Sequence, residues 1–398
     1  MSREPISIAG IHPSVLRRAN SIEIFHAIRL KPDGISQREI AASTGIDKST
    51  VSTIISAFDA RGLLSRSMDE NSGRRGRPSE TLALKPEAGL LIGIDIAPER
   101  LLVLSSGIDG KPTVTSTYPP IGDVASVAAA VEAAFLAHLK QSGRTIEEVR
   151  AVGVCVPGLV NRSGRLAESA NMNWRDVEIM AALNQRLQTP VRVENDARAA
   201  GLAEKLFGRC IDVNDYIFID SHSGVGGALF LDGRIYVGAG GFAGEVGHLK
   251  VAPSGRICDC GASGCLSAYV SGPALRRRFL AFDRPVSSFA EMRELAEAGD
   301  QNALEALEEA GTVLGVALSD FINLFNPPTV VLGGGLAVLA SHLMPSVERA
   351  LARETLHSPR AQCQIVVSEL ALQDVPHGPL AVALEGLSQL PGDGAFPW

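Results

Sequence analysis

Gly244-Glu245-Val246-Gly247-His248 is followed shortly by Cys258-Asp259-Cys260-Gly261-Ala262-Ser263-Gly264-Cys265-Leu266. One imidazole and three thiolates in so short a span form a Cys₃His set, His248, Cys258, Cys260 and Cys265, suited to closed tetrahedral zinc. Glycines at 255, 261 and 264 let the loop turn its thiolates inward. The other three of the six cysteines lie far apart, so the set does not read as a disulfide framework. No fifth ligand or open position is evident. The expectation is therefore a structural zinc, one per chain, that fixes His248 through one ring nitrogen and leaves the other to face a ligand.

On either side of this loop, from residue 89 onward, β-branched runs and glycine turns alternate with alanine-rich helices. Strands are predicted at 90–96, 101–105, 149–156, 191–194, 216–220, 227–231 and 329–332, with an amphipathic helix over 124–139. Strands mixed with helices in this way predict an α/β body of two lobes.

The front end differs in charge and texture. Residues 1–85 hold 13 Lys and Arg against 9 Asp and Glu, a balance of +4, and the remainder 24 against 35, or −11, within a net charge of −7. Leu16, Ala19, Ile22, Phe25 and Ile28 recur at roughly helical spacing, predicting a helix over 14–31 that Pro32-Asp33-Gly34 ends. Ser36 and Glu39 fit a capping box for a short second helix that stops at Gly45. Asp47 caps a third, 48–60, whose buried stripe is Val51, Ile54, Ile55 and Phe58. Its opposite face offers Lys48, Ser49, Ser52, Thr53 and Ser56, with Thr50 in its first turn. Short hydroxyl side chains let a helix lie deep in a major groove, and the helix-turn-helix plan predicts DNA-binding roles for Lys48, Ser49, Thr50, Ser52 and Thr53.

Two strands then flank Gly73-Arg74-Arg75-Gly76-Arg77-Pro78. A hairpin at this place makes a winged helix-turn-helix, with Arg74, Arg75 and Arg77 as further DNA contacts. Arg75-Gly76-Arg77-Pro78 resembles the core of AT-hooks, in which guanidinium groups follow the negative potential of a narrow minor groove.

Gly153-Val154-Cys155-Val156-Pro157-Gly158-Leu159-Val160, then Glu194-Asn195-Asp196-Ala197, then Gly238 to His248, then Cys258 to Leu266 stand in the order seen in the ROK family of repressors, open reading frames and kinases. The chain resembles that family from about residue 14 to its last helix. The resemblance implies an actin-like (ribonuclease H-like) two-lobed body behind a winged helix-turn-helix. The divisions are then 1–85 for the DNA-binding domain and 86–398 for the body, with a first lobe of about 86–195 plus the C-terminal helix and a second of about 196–375. It also implies a sugar site. In ROK kinases the aspartate of the Glu-Asn-Asp-Ala motif is similar to a general base, and the preceding Asn, the Glu of Gly-Glu-x-Gly-His and its His hold the remaining hydroxyls. Those positions here are Asp196, Asn195, Glu245 and His248, and groups that both donate and accept suit a polyhydroxylated ligand.

Three departures bear on function. The family usually has Glu after Gly-Cys-Leu, where this chain has Ser267, so the sugar it prefers is not fixed by resemblance. The phosphate loop of the kinases, Asp-x-Gly-Gly-Thr, reads Asp95-Ile96-Ala97-Pro98-Glu99, in which proline lacks an amide donor and Glu99 adds negative charge. The second phosphate loop is partly worn, His222-Ser223-Gly224-Val225-Gly226-Gly227. The expectation is a sensor without phosphoryl transfer and hence not an enzyme: a sugar-responsive regulator, a repressor of carbohydrate genes. It is expected to bind double-stranded operator DNA as a homodimer or homotetramer, in the cytoplasm, with no membrane partner. No apolar run reaches the ~18 residues of a span, and no secretory signal opens the sequence. Two other readings of the same residues stand beside it: an active sugar kinase with a fused DNA module, and a DNA-binding regulator controlled by a protein partner.

Overall fold

The computed structural model describes residues 13–68 and 80–389. The front end folds as three helices, Pro13–Arg29, Gln37–Thr44 and Lys48–Ala60, and an antiparallel hairpin, Leu64–Met68 with Glu80–Leu84, in which Leu64 faces Leu84 and Met68 faces Glu80. Both anticipated caps are present. Ser36 accepts from the Glu39 amide while the Glu39 carboxylate accepts from the Ser36 amide, and Asp47 accepts from the Thr50 amide. Gly45 closes the second helix at φ 71°, in the left-handed region where a side chain would be strained.

The first helix departs from expectation. It ends at Arg29, and its buried stripe is Ile24, Phe25 and Ile28, while Leu16 is 39% exposed and Ala19 is exposed too. Its later turns join the core of Ile40, Val51, Ile54, Ile55 and Phe58, with Ile22 packed partly against it.

The body is built on two five-stranded sheets of matching plan. In the first, the order is Val191–Asn195, Val149–Val156, Leu90–Ile96, Leu101–Gly107 and Pro112–Tyr118, the first three parallel and the last two antiparallel additions. In the second, Gln364–Val367, Thr329–Leu332 and Tyr216–Ser221 run parallel, and Val225–Leu231 and Arg234–Ile235 extend the sheet antiparallel. Edge strands 112–118 and 364–367 escape sequence reading because their patterns, PTVTSTY and QIVV, are polar or short and only partly covered. A small sheet, Leu159–Val160, Leu166–Ser169 and Trp174–Val177, leans over the cleft from the first lobe.

Two helices lie between the sheets. Asp196–Leu206 packs against the C-terminal helix Gly378–Gln389, which lies on the first sheet so closely that a Cβ at Gly153 would collide with the Pro379 carbonyl oxygen. The far end of Asp196–Leu206 meets the DNA-binding head: Arg29 donates through Nη2 to the Leu206 carbonyl at 2.6 Å, and its guanidinium lies 5.1 Å from the Phe207 ring centroid. The apolar core of the head is continuous with that of the body. Among the described residues no helix is long and apolar enough to cross a membrane.

Candidate functional site

The site begins at the junction of strand Val191–Asn195 and helix Asp196–Leu206. Asn195 takes extended backbone angles and caps the helix, its Oδ1 accepting from the Arg198 amide at 2.9 Å. Its side-chain amide donates to the Gly158 carbonyl at 3.0 Å and to Asp196 Oδ1 at 2.9 Å, and that same oxygen accepts from the Ala197 amide. Both Asn195 donors are therefore engaged within the protein. Asn195 lines the cleft chiefly as the part that ties the Pro157-Gly158 turn to the helix and aims Asp196. Burial and then the nearby Asp220 push the Asp196 carboxyl up, with the helix amide opposing.

Around Asp196 a cavity of about 710 Å³ opens between the lobes, and Asn195, Glu245, His248 and Ser267 share its wall with Ser169, Trp174 and Arg277. The structure thus brings together the four residues anticipated for the sugar. Glu245 is open to the cleft but surrounded by protein on its other sides, which raises its carboxyl, with Arg198 pulling it down and Asp196 adding to the rise.

Arg198 escaped the sequence reading. It is 4% exposed and donates to the Val160 carbonyl at 2.5 Å, the Gly241 carbonyl at 2.6 Å and Glu194 Oε1 at 2.7 Å. One guanidinium fork thereby fastens the first-lobe turn to the glycine loop that bears Glu245. A cation in the first turn of the helix, two residues after Asp196, was the available signal. Across the mouth of the cleft, Asn171 donates to Ser223 at 2.9 Å.

His248, Cys258, Cys260 and Cys265 place their ligand atoms all within 4.8 Å of one another. The Cys260 and Cys265 sulfurs are 3.8 Å apart. Metal–sulfur bonds of ~2.3 Å in a tetrahedron give an edge of ~3.8 Å, so the donor set fits a tetrahedral ion. The loop turns tightly, with the Cys258 amide donating to Ala262 and the Gly261 amide to Cys258. Gly264, at φ 75°, lies where a Cβ would collide with the Ala252 carbonyl oxygen. Lys250 Nζ, 2.6 Å from the Cys265 sulfur, offsets thiolate charge. Burial and then Lys250 lower the His248 pKa, favouring the neutral, lone-pair form a metal ion needs.

The phosphate end is another matter. Ala97–Arg100 is a closed turn between two strands, with the Ala97 amide donating to Arg100 and the Arg100 amide to Ala97. Those two amides are occupied and Pro98 has none, so three of the four residues of this turn offer no amide to a phosphate. Carboxylates stand there instead. Burial, then Asp196, raises Asp95 to about 6. Asp220 is 8% exposed and pairs at 3.4 Å with His222, whose imidazole it raises against the opposing effect of burial.

On the head, Lys48, Ser49, Ser52 and Thr53 are exposed along one face of the third helix, and Thr50 is half-buried. Thr53 donates to the Ser49 carbonyl and Ser56 to the Ser52 carbonyl, each at 2.9 Å, leaving their oxygens free to accept. Arg74, Arg75 and Arg77 lie outside the described residues.

Residues 126–384 match the ROK family model, more than half of the chain. The chain belongs to the ROK family. Residues 18–75 match a MarR family model, and with the helix-turn-helix and hairpin described above the head is a winged helix-turn-helix. Among curated relatives, the xylose repressor of Bacillus spizizenii is 28% identical over 316 residues, covering 79% of this chain and 81% of that one. The DNA-binding transcriptional dual regulator NagC of Escherichia coli is 27% identical over 367 residues, covering 89% and 90%. Of solved structures, a ROK family transcriptional regulator described as a homolog of the E. coli MLC protein shares the fold across 94% of this chain and 97% of its own, with TM-score 0.81 and 24% identity. A ROK glucokinase from Streptomyces griseus, in complex with glucose and AMPPNP, is 27% identical with TM-score 0.63, covering 74% of this chain and 98% of its own. The kinase fold match covers 74% of this chain, whereas the regulator fold match covers 94% of it.

Proposed function

We propose that this protein is a sugar-responsive transcriptional regulator, a repressor, and not a kinase. The observation that carries the reading is the pairing, in one ROK chain, of a winged helix-turn-helix with a cleft that gathers Asn195, Asp196, Glu245 and His248 on one side and is walled by Asp95, Glu99 and Asp220 on the other, where the Ala97 and Arg100 amides are paired and Pro98 has none. A triphosphate placed there meets like charge in a desolvated site, which is strongly unfavourable. The names of its curated relatives, a xylose repressor and a DNA-binding transcriptional dual regulator, support the same reading.

In this reading Asp196, Glu245 and His248 hold the hydroxyls of a carbohydrate, Asn195 aims Asp196, and Ser267 shapes the specificity. Zinc, one per chain, is held by His248, Cys258, Cys260 and Cys265; when bound it supplies no chemistry beyond fixing the loop and the His248 ring. Lys48, Ser49, Thr50, Ser52 and Thr53 contact the major groove, and Arg74, Arg75 and Arg77 the minor groove or phosphates. The divisions at 1–85 and 86–398 describe the two working parts. A homodimer or homotetramer in the cytoplasm sets two heads on successive turns of an operator, so a small change in lobe angle costs much specific affinity.

Titrating sugars into a protein–operator complex tests this. Release of DNA by a sugar, with no ADP formed from ATP under any sugar tested, supports it. Turnover of ATP in the presence of a sugar, or indifference of the DNA complex to every saccharide, overturns it. By linkage, operator DNA must weaken binding of an inducing sugar by the same factor.

A further inference from the structure

Beyond Asp196 the cleft does not end. A second cavity of about 600 Å³ continues from the first, and Pro157, Asp196, Asp220, His222 and Ser223 line both. Each cavity alone lies in the ~300–1,000 Å³ range that accommodates a small organic ligand. In the kinase plan this space belongs to the nucleotide, and the closed Ala97–Arg100 turn takes that use away while leaving the space open.

The lining states what the space now suits. Carboxylates outnumber cations: Asp95, Glu99 and Asp220 face it from both lobes, and Arg100, one of the two arginines in the wall, is drawn to Asp95 at 3.7 Å. Anions are therefore disfavoured, phosphorylated sugars among them. Carboxylates accept hydrogen bonds and donate none while ionised, so they favour a ligand rich in donors, which means hydroxyls. Asp220, at the junction of the two cavities and about nine-tenths buried, has its Oδ1 without a hydrogen-bond partner. That atom is closed off beside Gly334, so Oδ2, which pairs with His222, is the Asp220 oxygen that can meet a hydroxyl from the cavity. The Phe289 ring, packed over Gly335, gives the same wall an apolar face of the kind the C–H side of a pyranose covers.

We infer that the second cavity is a subsite for a second sugar unit, so that the effector is an uncharged di- or oligosaccharide laid through the cleft past Asp196. The inference rests on the sugar-sensing reading above and adds to it the size and charge of the ligand.

Calorimetric titration of the zinc-loaded full chain tests it. The probes are D-xylose, D-glucose and N-acetylglucosamine, their disaccharides xylobiose, cellobiose, maltose and N,N′-diacetylchitobiose, and the 6-phosphates of the two hexoses. At least one disaccharide should bind about tenfold or more tighter than its own monosaccharide, a difference of ~1.4 kcal/mol, and the phosphates should bind no better than their parent sugars. Ala371→Phe, filling the second cavity from the C-terminal side, should bring that disaccharide down to its monosaccharide and leave the monosaccharide unchanged. Ala97→Phe, filling it from the opposite lobe, should do the same, so a folding defect in one variant does not decide the matter. Equal binding of mono- and disaccharides, or tighter binding of a phosphate, overturns the inference and leaves the sugar-sensing reading standing. Binding of no saccharide by a chain that still binds DNA overturns both.

Discussion

Arg29, in the last turn of the first helix of the head, donates to the carbonyl of Leu206, the last residue of the helix that Asn195 caps beside the sugar cleft. A helix C-terminus leaves carbonyls unpaired and carries partial negative charge, so a guanidinium there is doubly matched. Burial lowers Arg29 to about 10, with Asp109 opposing, and His26 beside it is held neutral by burial and then by Arg29. The same helix thus lines the cleft at one end and meets the DNA-binding head at the other. Arg29→Met should cost about 1.5–3 kcal/mol of stability, the range for a hydrogen bond to a charged group. It should also reduce the effect of a bound sugar on operator affinity severalfold, with sugar affinity itself little changed. Denaturant unfolding and operator titration with and without effector measure the two effects.

Cys260 is the exposed cysteine of the four-ligand cluster. Cys260→Ser should lower bound zinc from one per chain toward none, read by elemental analysis. A chelator should lower the melting temperature of the unmodified protein and leave that of the variant where it was. Retention of one zinc by the variant would show that the ligands are other than those named.

Asp95 gives the cleft a pH signature. Its folded pKa of about 6 lies above its unfolded value of 3.8 because burial and Asp196 disfavour the charged form. Between those values the folded state binds more protons than the unfolded, so stability rises as pH falls through 6. Asp196 and Glu245 are raised as well and act in the same direction. Asp95→Asn should therefore be more stable than the unmodified protein at pH 7.5, and the gap should narrow toward pH 5. Paired melting curves across that range check it. A gap that is constant with pH would contradict the assignment.

Much of this was legible in the sequence wherever structure is decided locally. The Ser36–Glu39 capping box, the Gly45 stop and the Cys258–Cys265 loop each lie within a few residues, and spacing alone specifies them. What was not legible is carried by contacts between distant positions. Arg29 and Leu206 are 177 residues apart, and Arg198 reaches carbonyls 38 and 43 residues away. Periodicity placed Phe25 and Ile28 correctly in the core but carried the stripe too far toward the N-terminus, to Leu16 and Ala19, which are exposed. The Glu-Asn-Asp-Ala resemblance marked Asn195 as a ligand group but could not show that its side-chain donors reach Gly158 and Asp196.

The head separates two kinds of DNA contact that salt can resolve. Ser52 and Thr53 are exposed, uncharged and placed on the third helix, where hydroxyls meet base edges or single phosphate oxygens. Ser52→Ala with Thr53→Ala should weaken operator binding by roughly 1 kcal/mol per lost hydrogen bond and leave the salt dependence almost unchanged, because no counterion is released by a hydroxyl. Arg75 and Arg77 are charged, and each phosphate neutralised contributes about −0.9 to the slope of log K against log salt. Arg75→Ala with Arg77→Ala should therefore flatten that slope by about 2 per chain and weaken operator and random duplex alike, unless the arginines also read minor-groove width, in which case A·T-rich sites lose more. Fluorescence anisotropy at several salt concentrations, on an operator and a shuffled duplex, distinguishes these results. An unchanged slope in the arginine variant would remove Arg75 and Arg77 from the interface.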